Sequence, residues 1–333
     1  GTDQTRKFLD EQEYTLLLNA EEFSTVIESA EEQAAVLMLN KKVDNKLQLS
    51  HYPHIESPAL EIVRGKVISL DMRTCDLKSV PEEIRWLKEL RFLRVGAMGL
   101  YELPSWIYRL KNLRHLKASF NELKEIPPWI GKLKNLRHLN LRINQISKLP
   151  KEINQLDKLK SLNLEENRLQ EVTLELPRLK ELILDENPLY SFSIKADKLR
   201  DLNLKKLKTE ILDLSACSLE SLEILDARSG QICEITPETF TVLKNVRILN
   251  LAGNQFTKIP EGISQLIRLQ EINLSWNYFE DPYEQVISSP LMGIDSLKKI
   301  NIIKAGPESR EEKKNTRKKI ERINLNGKRI VKT

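Results

Sequence analysis

The sequence is poor in the residues that stabilise small secreted domains and in the side chains that build metal sites. Its 333 residues include three cysteines and four histidines, and aromatic residues make up 6%. An odd, sparse set of cysteines (Cys75, Cys217 and Cys233) does not form a disulfide framework, so it favours a reducing compartment or a bacterial source. The alternative that Cys217 and Cys233 pair with each other stays open.

Long hydrophobic runs and a charge of one sign are also lacking. No run approaches the roughly 18 apolar residues that span a bilayer, so we expect no membrane insertion. The 53 basic and 48 acidic residues nearly cancel, which does not indicate nucleic acid as a partner. No signal peptide is visible, but the chain opens at Gly1 without a starting Met, so this absence says little about where the protein is found. We expect a cytoplasmic protein or, with a leader removed, a secreted or surface protein of a bacterium.

Motifs of catalytic families are missing as well. The sequence has no phosphate-binding G-x-x-x-x-G-K-[ST] loop, no kinase signature set and no G-x-S-x-G nucleophile elbow. None of the cysteines has a histidine at a recognisable spacing to act as its base. We therefore predict a protein that is not an enzyme and that needs no cofactor.

What the sequence does contain is one motif repeated at a nearly constant spacing. Leu136–Ile146, Leu159–Leu169 and Leu269–Phe279 each read L-x-x-L-x-L-x-x-N-x-L, with Ile or Phe as occasional substitutes for Leu. Most steps between copies are 23 residues, two are 20, one is 24 and one is 28. A fixed period of this kind predicts stacked structural units. Clear or degenerate copies start at residues 67, 90, 113, 136, 159, 179, 199, 222, 246, 269, 297 and 320.

Two segments are less regular than these copies. The stretch 209–219 imitates the motif, but we interpret it as a crossover because the step from 199 to 222 is one full period. A zeroth copy, one period before the first, would place Leu47 and Leu49 in strand positions. The Asn of the motif is replaced in several copies by other residues, namely Cys75, Met98, Leu207, Gly230 and Lys328.

The motif predicts a parallel sheet. In L-x-x-L-x-L the leucines alternate with other residues at period two, so leucines face one side of the strand and x residues the other. Parallel strands need a crossover, and x-Pro-x-x-Ile stretches between copies suit short helical turns. The Asn turns the chain, and stacked Asn side chains predict a hydrogen-bonded ladder. These stretches start at Val80, Leu103, Ile126, Leu149 and Ile259.

This pattern resembles the leucine-rich repeat family, in the 23-residue class used in bacteria and inside eukaryotic cells, over nearly everything after residue 43. The resemblance implies an α/β solenoid, curved like a horseshoe, with a concave parallel β-sheet and short helical or irregular crossovers on the convex side. We expect 1–43 to be an N-terminal cap containing a helix over 20–39. We expect 44–333 to be a solenoid of about twelve repeats, closed by a capping helix and strand near 307–330.

Function is expected on the outward x positions, where variable side chains form ladders along the sheet. The early strands combine aromatic and basic residues, the types that tend to anchor protein interfaces. A smoother apolar patch with Trp276 follows near the end. The predicted partner-binding residues are Phe92, Arg94, His115, Lys117, Phe120, His138, Arg142, Ile143 and Trp276.

Other outward residues have alternative interpretations. His115 and His138 occupy equivalent positions and could share a metal, but no third ligand is fixed nearby, so we predict no metal site. A middle acidic group could attract Ca²⁺, although a solvated acidic patch is far more common; it comprises Glu165, Glu166, Asp185 and Glu186. An asparagine ladder at the central x position is interpreted as structural rather than ligand-binding, and it comprises Asn140, Asn163, Asn203, Asn250, Asn273, Asn301 and Asn324.

The resemblance therefore implies a non-catalytic scaffold that binds another protein on the concave face. Two alternatives stay open at this stage: a surface or secreted adhesin for host matrix or glycan, and a regulatory fragment of a larger enzyme. We expect a monomer with a protein partner, and no nucleic acid, cofactor or metal. Fold-level similarity supports much of this ranking, because repeat solenoids serve many unrelated roles.

Overall fold

A computed structural model of the chain describes residues 16–17, 26–44, 47–49, 58–279, 290–302, 321–325 and 328–332. The chain divides into two units, Gly1–Ser161 and Leu162–Thr333. Both are built from short strands in mostly parallel sheets, with short turns between the strands. This is the α/β repeat architecture that the sequence predicts. Within the described part of the chain, no helix has the length and hydropathy to cross a membrane.

In the first unit, neighbouring repeats place their strands side by side. From β4 onward the strands pair in parallel, and each residue pairs with the one a full period later, as Leu70 with Leu93 and Leu93 with Leu116. The 23-residue period therefore sets the register. The strands are β1 (Leu16–Leu17), β2 (Gln48–Leu49), β3 (Ala59–Val63), β4 (Lys66–Asp71), β5 (Phe92–Arg94), β6 (His115–Lys117), β7 (His138–Asn140) and β8 (Ser161–Asn163), which contains the boundary between units.

The motif leucines of this unit form its core. Leu113 and Leu116 are fully buried, and so is Ala118 in the position of the third leucine. Burying one Leu side chain contributes about 1.5–3 kcal/mol. Because a single repeat cannot cover its own leucine face, this stabilisation requires a neighbouring repeat.

Turns of 3-10 helix connect these strands. Each begins directly after a proline, whose fixed φ suits the first position of a helical turn, and each buries its isoleucine, such as Ile107 and Ile130. The predicted helical crossovers are therefore confirmed. They are Glu82–Trp86, Ser105–Arg109, Pro128–Lys132 and Lys151–Gln155.

The asparagine ladder is confirmed as well. The Asn121 amide nitrogen donates to the carbonyls of Val95 (2.9 Å) and Ala118 (3.1 Å). Its oxygen accepts from the backbone N–H groups of Met98 and Leu100, both at 3.1 Å. One buried side chain thus satisfies backbone groups of its own and the preceding repeat, which would otherwise be costly to bury.

One α-helix, α1 (Ala30–Lys42), lies at the start of the first unit. Residues 27–29 before it are not helical, so it begins later than the predicted helix over 20–39, and 18–25 lie outside the described residues. Glu32 of the helix accepts from Val67 N at 3.2 Å, and Lys42 pairs with Glu83 at 2.9 Å. The helix therefore contacts β4, the strand of the first regular repeat, and the 3-10 turn that follows it. The domain limit at residue 43 stays a prediction.

Strand β3 was not predicted from the sequence. It pairs antiparallel with β4, and β2 pairs in parallel with β3. Leu49 of the predicted zeroth copy therefore lies in a strand, but that strand is separated from the first regular repeat by β3.

In the second unit, one strand per repeat again pairs in parallel and in register. The pairing of Leu202 with Leu225 confirms that 199 and 222 start consecutive repeats. The stretch 209–219 is a crossover, as predicted, and its short strand pairs with one in the next crossover. The strands of this sheet beyond β8 are β10 (Glu181–Ile183), β12 (Asp201–Asn203), β14 (Ile224–Asp226), β16 (Ile248–Asn250), β17 (Glu271–Asn273) and β18 (Lys299–Ile302).

The crossovers of this unit vary with repeat length. The two 20-residue steps replace the 3-10 turn with extended strands, β9 (Glu171–Glu175) and β11 (Ser191–Lys195), which pair in parallel. An extended chain covers about 3.3 Å per residue against about 2 Å in a 3-10 helix, so fewer residues complete the return. The remaining crossover elements are β13 (Ile211–Leu212), β15 (Glu234–Ile235), α2 (Pro237–Val242) and the 3-10 turns Glu261–Gln265 and Pro290–Gly293.

Gly230 fills an asparagine position of this unit because the space there is closed. A Cβ on Gly230 would lie 2.8 Å from the Leu207 carbonyl oxygen and 2.9 Å from Oδ1 of Asn254. Any larger residue would displace the backbone or the neighbouring member of the ladder.

The pairing predicted for the last strand is wrong. The copy starting at 320 coincides with β19 (Glu321–Leu325), but β19 pairs antiparallel with β20 (Lys328–Lys332), and β20 is the parallel neighbour of β18. The sequence carries the reason, since Asn326-Gly327 is the strongest short signal for a two-residue hairpin. The predicted capping helix near 307–320 lies outside the described residues.

Candidate functional site

Eight of the nine predicted binding residues lie in the first unit, on or directly after three neighbouring strands, and Trp276 belongs to the second unit. The parallel register brings the residues on the strands into rows. We call these eight the basic-aromatic face: Phe92 and Arg94 on β5, His115 and Lys117 on β6, His138 on β7, and Phe120, Arg142 and Ile143 in the loops that follow.

Three rings on this face form a continuous stack. Phe92 and His115 lie 4.2 Å apart between ring centroids, with planes inclined by 13°. His115 and His138 are 4.4 Å apart and inclined by 6°. In-register pairing of parallel strands about 4.8 Å apart produces this spacing. The rings therefore cover one another's faces, and His115 is covered on both.

The central ring of the stack is held neutral. Burial lowers the pKa of His115 to about 4, and the nearby charges of His138, Lys117, Arg137 and Arg94 act in the same direction. At neutral pH the imidazole is uncharged, with one nitrogen donating and the other accepting. It can therefore offer a hydrogen bond without adding to the positive charge of its surroundings.

A buried carboxylate organises the basic part of the face. The Asp71 side chain is fully buried and accepts from Nε and Nη2 of Arg73, the closest approach being 2.8 Å. Nη1 of Arg94 lies 3.4 Å from the same carboxylate. Arg94 is 6% exposed, so it supports the face from beneath. Sequence reasoning missed Asp71, although it shares the row of Arg94 and Lys117.

Lys117 is the exposed cation of that row. The surrounding protein atoms lower the pKa of Lys117 by desolvation, and Arg94 and Arg73 lower it further. Its ammonium lies beside a shallow depression of about 230 Å³ lined by Phe92, Leu93, Arg94, His115 and Lys117. A small acceptor group entering this depression would meet both a cation and a neutral imidazole.

The loops after the strands present the remaining residues. Phe120 is 51% exposed, and the Arg142 guanidinium lies 5.6 Å from its ring centroid, a cation–π distance. Phe120 and Ile143 both have positive φ, at 59° and 53°. The residue before the ladder position has this conformation in repeat after repeat, so these side chains project from one fixed type of turn.

A second row of arginines lies at the start of the same strands. Arg91, Arg114 and Arg137 are half-buried, each one residue before its strand. Sequence reasoning did not select them, because they fall outside the strict x-L-x alternation. The signal was present, since they recur at the 23-residue period and so must lie side by side.

Trp276 sits in the equivalent turn of its own repeat. It is 39% exposed with φ of 61°, and Tyr278 after it is 62% exposed. Ala252 in the preceding repeat is nearly buried. The exposed apolar surface in this part of the second unit therefore comes from Trp276 and Tyr278, and Ala252 adds little to it.

Two clusters of side chains are candidate metal ligands in the sequence, the histidine pair and the acidic group. The stacked rings of His115 and His138 direct their nitrogens within parallel planes, which does not aim them at one shared ion. Among the described residues, the group close enough to hold an ion is Glu165, Glu166 and Glu186, with ligand atoms within 4.8 Å of one another. Glu186 already pairs with Lys206 at 2.7 Å, as ordinary surface carboxylates do.

Asparagines at the central x position act locally. The oxygen of Asn140 accepts from Arg142 N at 3.0 Å, and Asn163, Asn250 and Asn273 make the same bond two residues ahead. This supports the structural interpretation, with the bond made inside each turn instead of from strand to strand.

The three cysteines are free thiols. Cys217 and Cys233 are therefore not paired. Burial raises the pKa of Cys75 and of Cys217 to about 11. Such thiols stay protonated at neutral pH and are poor nucleophiles.

Two family models match the sequence. A model described as "Leucine Rich repeats (2 copies)" matches residues 111–156, which include β6 and β7. A model described as "Leucine rich repeat" matches residues 220–279. The search of curated proteins found no match.

Several solved structures are similar to this chain. A leucine-rich repeat protein of Leptospira interrogans is 23% identical, with 79% of this chain and 83% of that chain covered and a TM-score of 0.44. The functional domain of InlJ from Listeria monocytogenes is 20% identical, with coverage of 71% and 49% and a TM-score of 0.46. The PEPR1–AtPEP1 structure is 19% identical, with coverage of 76% and 48% and a TM-score of 0.47. This chain spans about half the length of the latter two.

Proposed function

We propose that this chain, which carries leucine-rich repeats at 111–156 and 220–279, is a non-catalytic scaffold that binds another protein through its basic-aromatic face. Leucine-rich repeat domains are typically protein-binding scaffolds and generally non-catalytic. Both matching models are repeat models, with no catalytic family among them.

The observation that supports the choice of face is its arrangement of aromatic and cationic groups. Phe92, His115 and His138 form a continuous stack, with Phe120 and Arg142 in the loops that follow the strands. Rigid aromatic side chains lose little conformational entropy on binding, and interface hot spots are enriched in aromatic residues and Arg. The outward side of the sheet, predicted to be concave, is thus the proposed binding surface.

The test compares proteins captured from a lysate of the source cell by three immobilised variants. The site variant is Phe120→Ala with Lys117→Ala, two exposed positions whose truncation leaves the core intact. The matched control is Tyr101→Ala with Lys148→Ala, an exposed aromatic residue and an exposed lysine of the same unit that lie outside the strands. Circular dichroism and thermal midpoints establish that all three are folded.

We expect a protein that is retained by the wild type and the control and is lost from the site variant. Equal retention by all three would contradict the choice of face. Capture of no protein by any of them would contradict the scaffold itself.

A further inference from the structure

We infer that the occupant of the basic-aromatic face is an acidic, extended segment of the partner protein, whose carboxylates lie over β5 to β7. This inference rests on the proposed binding function and specifies the chemistry of the partner. Three observations support it: the excess of positive charge, the stacking of the aromatic rings with their edges outward, and the spacing of the strands.

The outward side of the first unit carries an excess of positive charge. In the four equivalent windows 68–73, 91–96, 114–119 and 137–142, Asp71 is the one acidic residue. The cationic residues of these windows are Arg73, Arg91, Arg94, Arg114, Lys117, Arg137 and Arg142. Asp71 is fully buried beneath Arg73 and Arg94, so its charge is already engaged. Among the described residues, Arg91, Arg114, Lys117 and Arg137 make no ion pair, and a negatively charged partner would balance their charge.

The ammonium group of Lys117 illustrates this excess of positive charge. Within the described part of the chain, its ammonium makes no ion pair or hydrogen bond, and its charge is disfavoured by burial and by the cations Arg94 and Arg73 more than the buried Asp71 favours it. A carboxylate in the adjacent depression would reverse that effect and could also accept a hydrogen bond from neutral His115. The depression, at about 230 Å³, suits one acidic side chain better than a larger ligand.

The stacking favours a protein over a nucleic acid. Proteins that bind single-stranded nucleic acid stack bases on exposed aromatic faces. Here the faces of Phe92, His115 and His138 are turned toward one another, leaving ring edges outward. Ring edges carry partial positive charge and suit oxygen acceptors more than bases. The surface therefore offers cations and edges, which match carboxylates on a polypeptide.

Strand spacing suggests how the carboxylates are arranged. Rows of cations recur about every 4.8 Å across the sheet. Alternate residues of an extended peptide point the same way and lie about 6.7 Å apart. That distance lies between one and two strand spacings. The long side chains of Arg and Lys can bridge the difference and reach the carboxylates. An acidic residue at every second position is thus the simplest complementary pattern.

The test is direct binding of defined probes to the whole chain, measured by fluorescence anisotropy. The probes are a labelled peptide with Glu alternating with Ser, the same peptide with Gln for Glu, and a single-stranded oligothymidine of equal charge. The protein variants are Lys117→Glu and Arg137→Glu, with Lys148→Glu as the matched charge change on an exposed residue outside the strands.

We expect the Glu peptide to bind, and to bind less tightly as salt is raised. The Gln peptide, and the Glu peptide on Lys117→Glu or Arg137→Glu, should each bind about tenfold more weakly, while Lys148→Glu should change little. The inference is overturned if the Glu peptide does not bind, if the Gln peptide binds equally well, if Lys148→Glu loses as much, or if the oligonucleotide binds more tightly.

Failure here is distinguishable from failure of the proposed function. A captured protein could be lost from the Phe120→Ala, Lys117→Ala variant but retained by Lys117→Glu. In that case the proposed binding surface would still be supported. That result would overturn only the acidic chemistry assigned to the partner.

Discussion

The sheets of the two units are built from the same repeating strands, but the charges on their outward sides differ. Against the excess of cations in the first unit, five equivalent windows of the second unit (180–185, 200–205, 223–228, 247–252 and 270–275) contain nearly equal numbers of each sign. The cations are Lys180, Arg200, Lys205, Arg228 and Arg247. The carboxylates are Glu181, Asp185, Asp201, Glu223, Asp226 and Glu271.

Many of the second unit's charges are paired with each other. Lys205 lies 3.0 Å from Asp185 and 3.9 Å from Asp226, and Arg228 lies 3.5 Å from Asp226. Such pairs, being partly exposed, contribute little to stability, but they leave less charge for a partner. The comparison teaches that the repeat backbone accommodates either charge pattern, so the charge of each sheet is determined by its side chains and not by the fold.

The largest expected effect is on Asp71, compared with its counterpart Asp226 at the same strand position. Asp71→Asn keeps the shape and the oxygen that accepts from Arg73 N, but leaves the buried Arg94 without its opposing charge. Removing one partner of a buried pair costs about 3–5 kcal/mol. Asp226→Asn, with a side chain that is 16% exposed, should cost about 1 kcal/mol or less.

Urea unfolding of the two variants measures this difference. The position accepts Asn in other repeats, as at Asn140 and Asn273, so neither substitution introduces a steric conflict. Equal losses in the two variants would show that the buried carboxylate of the first unit has no special role.

The next effect is the acid sensitivity that His115 gives to the first unit, where all four histidines of the sequence lie. The pKa of His115 is about 4 when folded, below its ordinary value of 6.5, because of burial and the charges of His138, Lys117 and Arg137. Between these values the unfolded chain binds a proton that the folded chain does not. Stability is therefore unaffected above about pH 6.5 and falls toward pH 4, by about 1–2 kcal/mol in total, since solvent around the partly exposed ring screens part of the effect.

His115→Phe should preserve the stack and remove this part of the acid sensitivity. The measurement is the free energy of unfolding in urea at pH 7 and pH 4.5 for the wild type and the variant. An unchanged loss on acidification in His115→Phe would mean that His115 is not the responsible group.

Much of the fold could be predicted from the sequence because one period fixes both the strands and their register. The copies starting from 67 to 297 correspond to strands, and the crossover interpretation of 209–219 is correct. The paired strands β9 and β11 were not predicted, because the shorter step indicates less chain but not its conformation. At 320 the motif pattern outweighed the Asn326-Gly327 hairpin signal, which decides the pairing there.

The site could be predicted only in part. Periodicity placed Phe92, His115 and His138 in one row, and the stack follows from that row. The burial of Arg94 could not be predicted, because it depends on Asp71, which occupies the equivalent central x position of the preceding repeat, where several other repeats have Asn. Interactions between neighbouring rows depend on side-chain lengths and angles, which a spacing pattern does not contain.

The smallest effect tests what the two units share, the turn with positive φ before each ladder position. Ala97 in the first unit has φ of 52°, and Gly253 in the second has φ of 66°, where a Cβ would lie an ordinary 3.4 Å from the nearest atom. Gly253→Ala should cost about 1 kcal/mol because an L residue is strained there. Ala97→Gly should gain a few tenths of a kcal/mol, since relief of strain is largely offset by the greater freedom of Gly when unfolded. Urea midpoints shifting in opposite directions would show that the positive-φ turn is strained in both units alike; shifts of the same sign would show that the two turns differ.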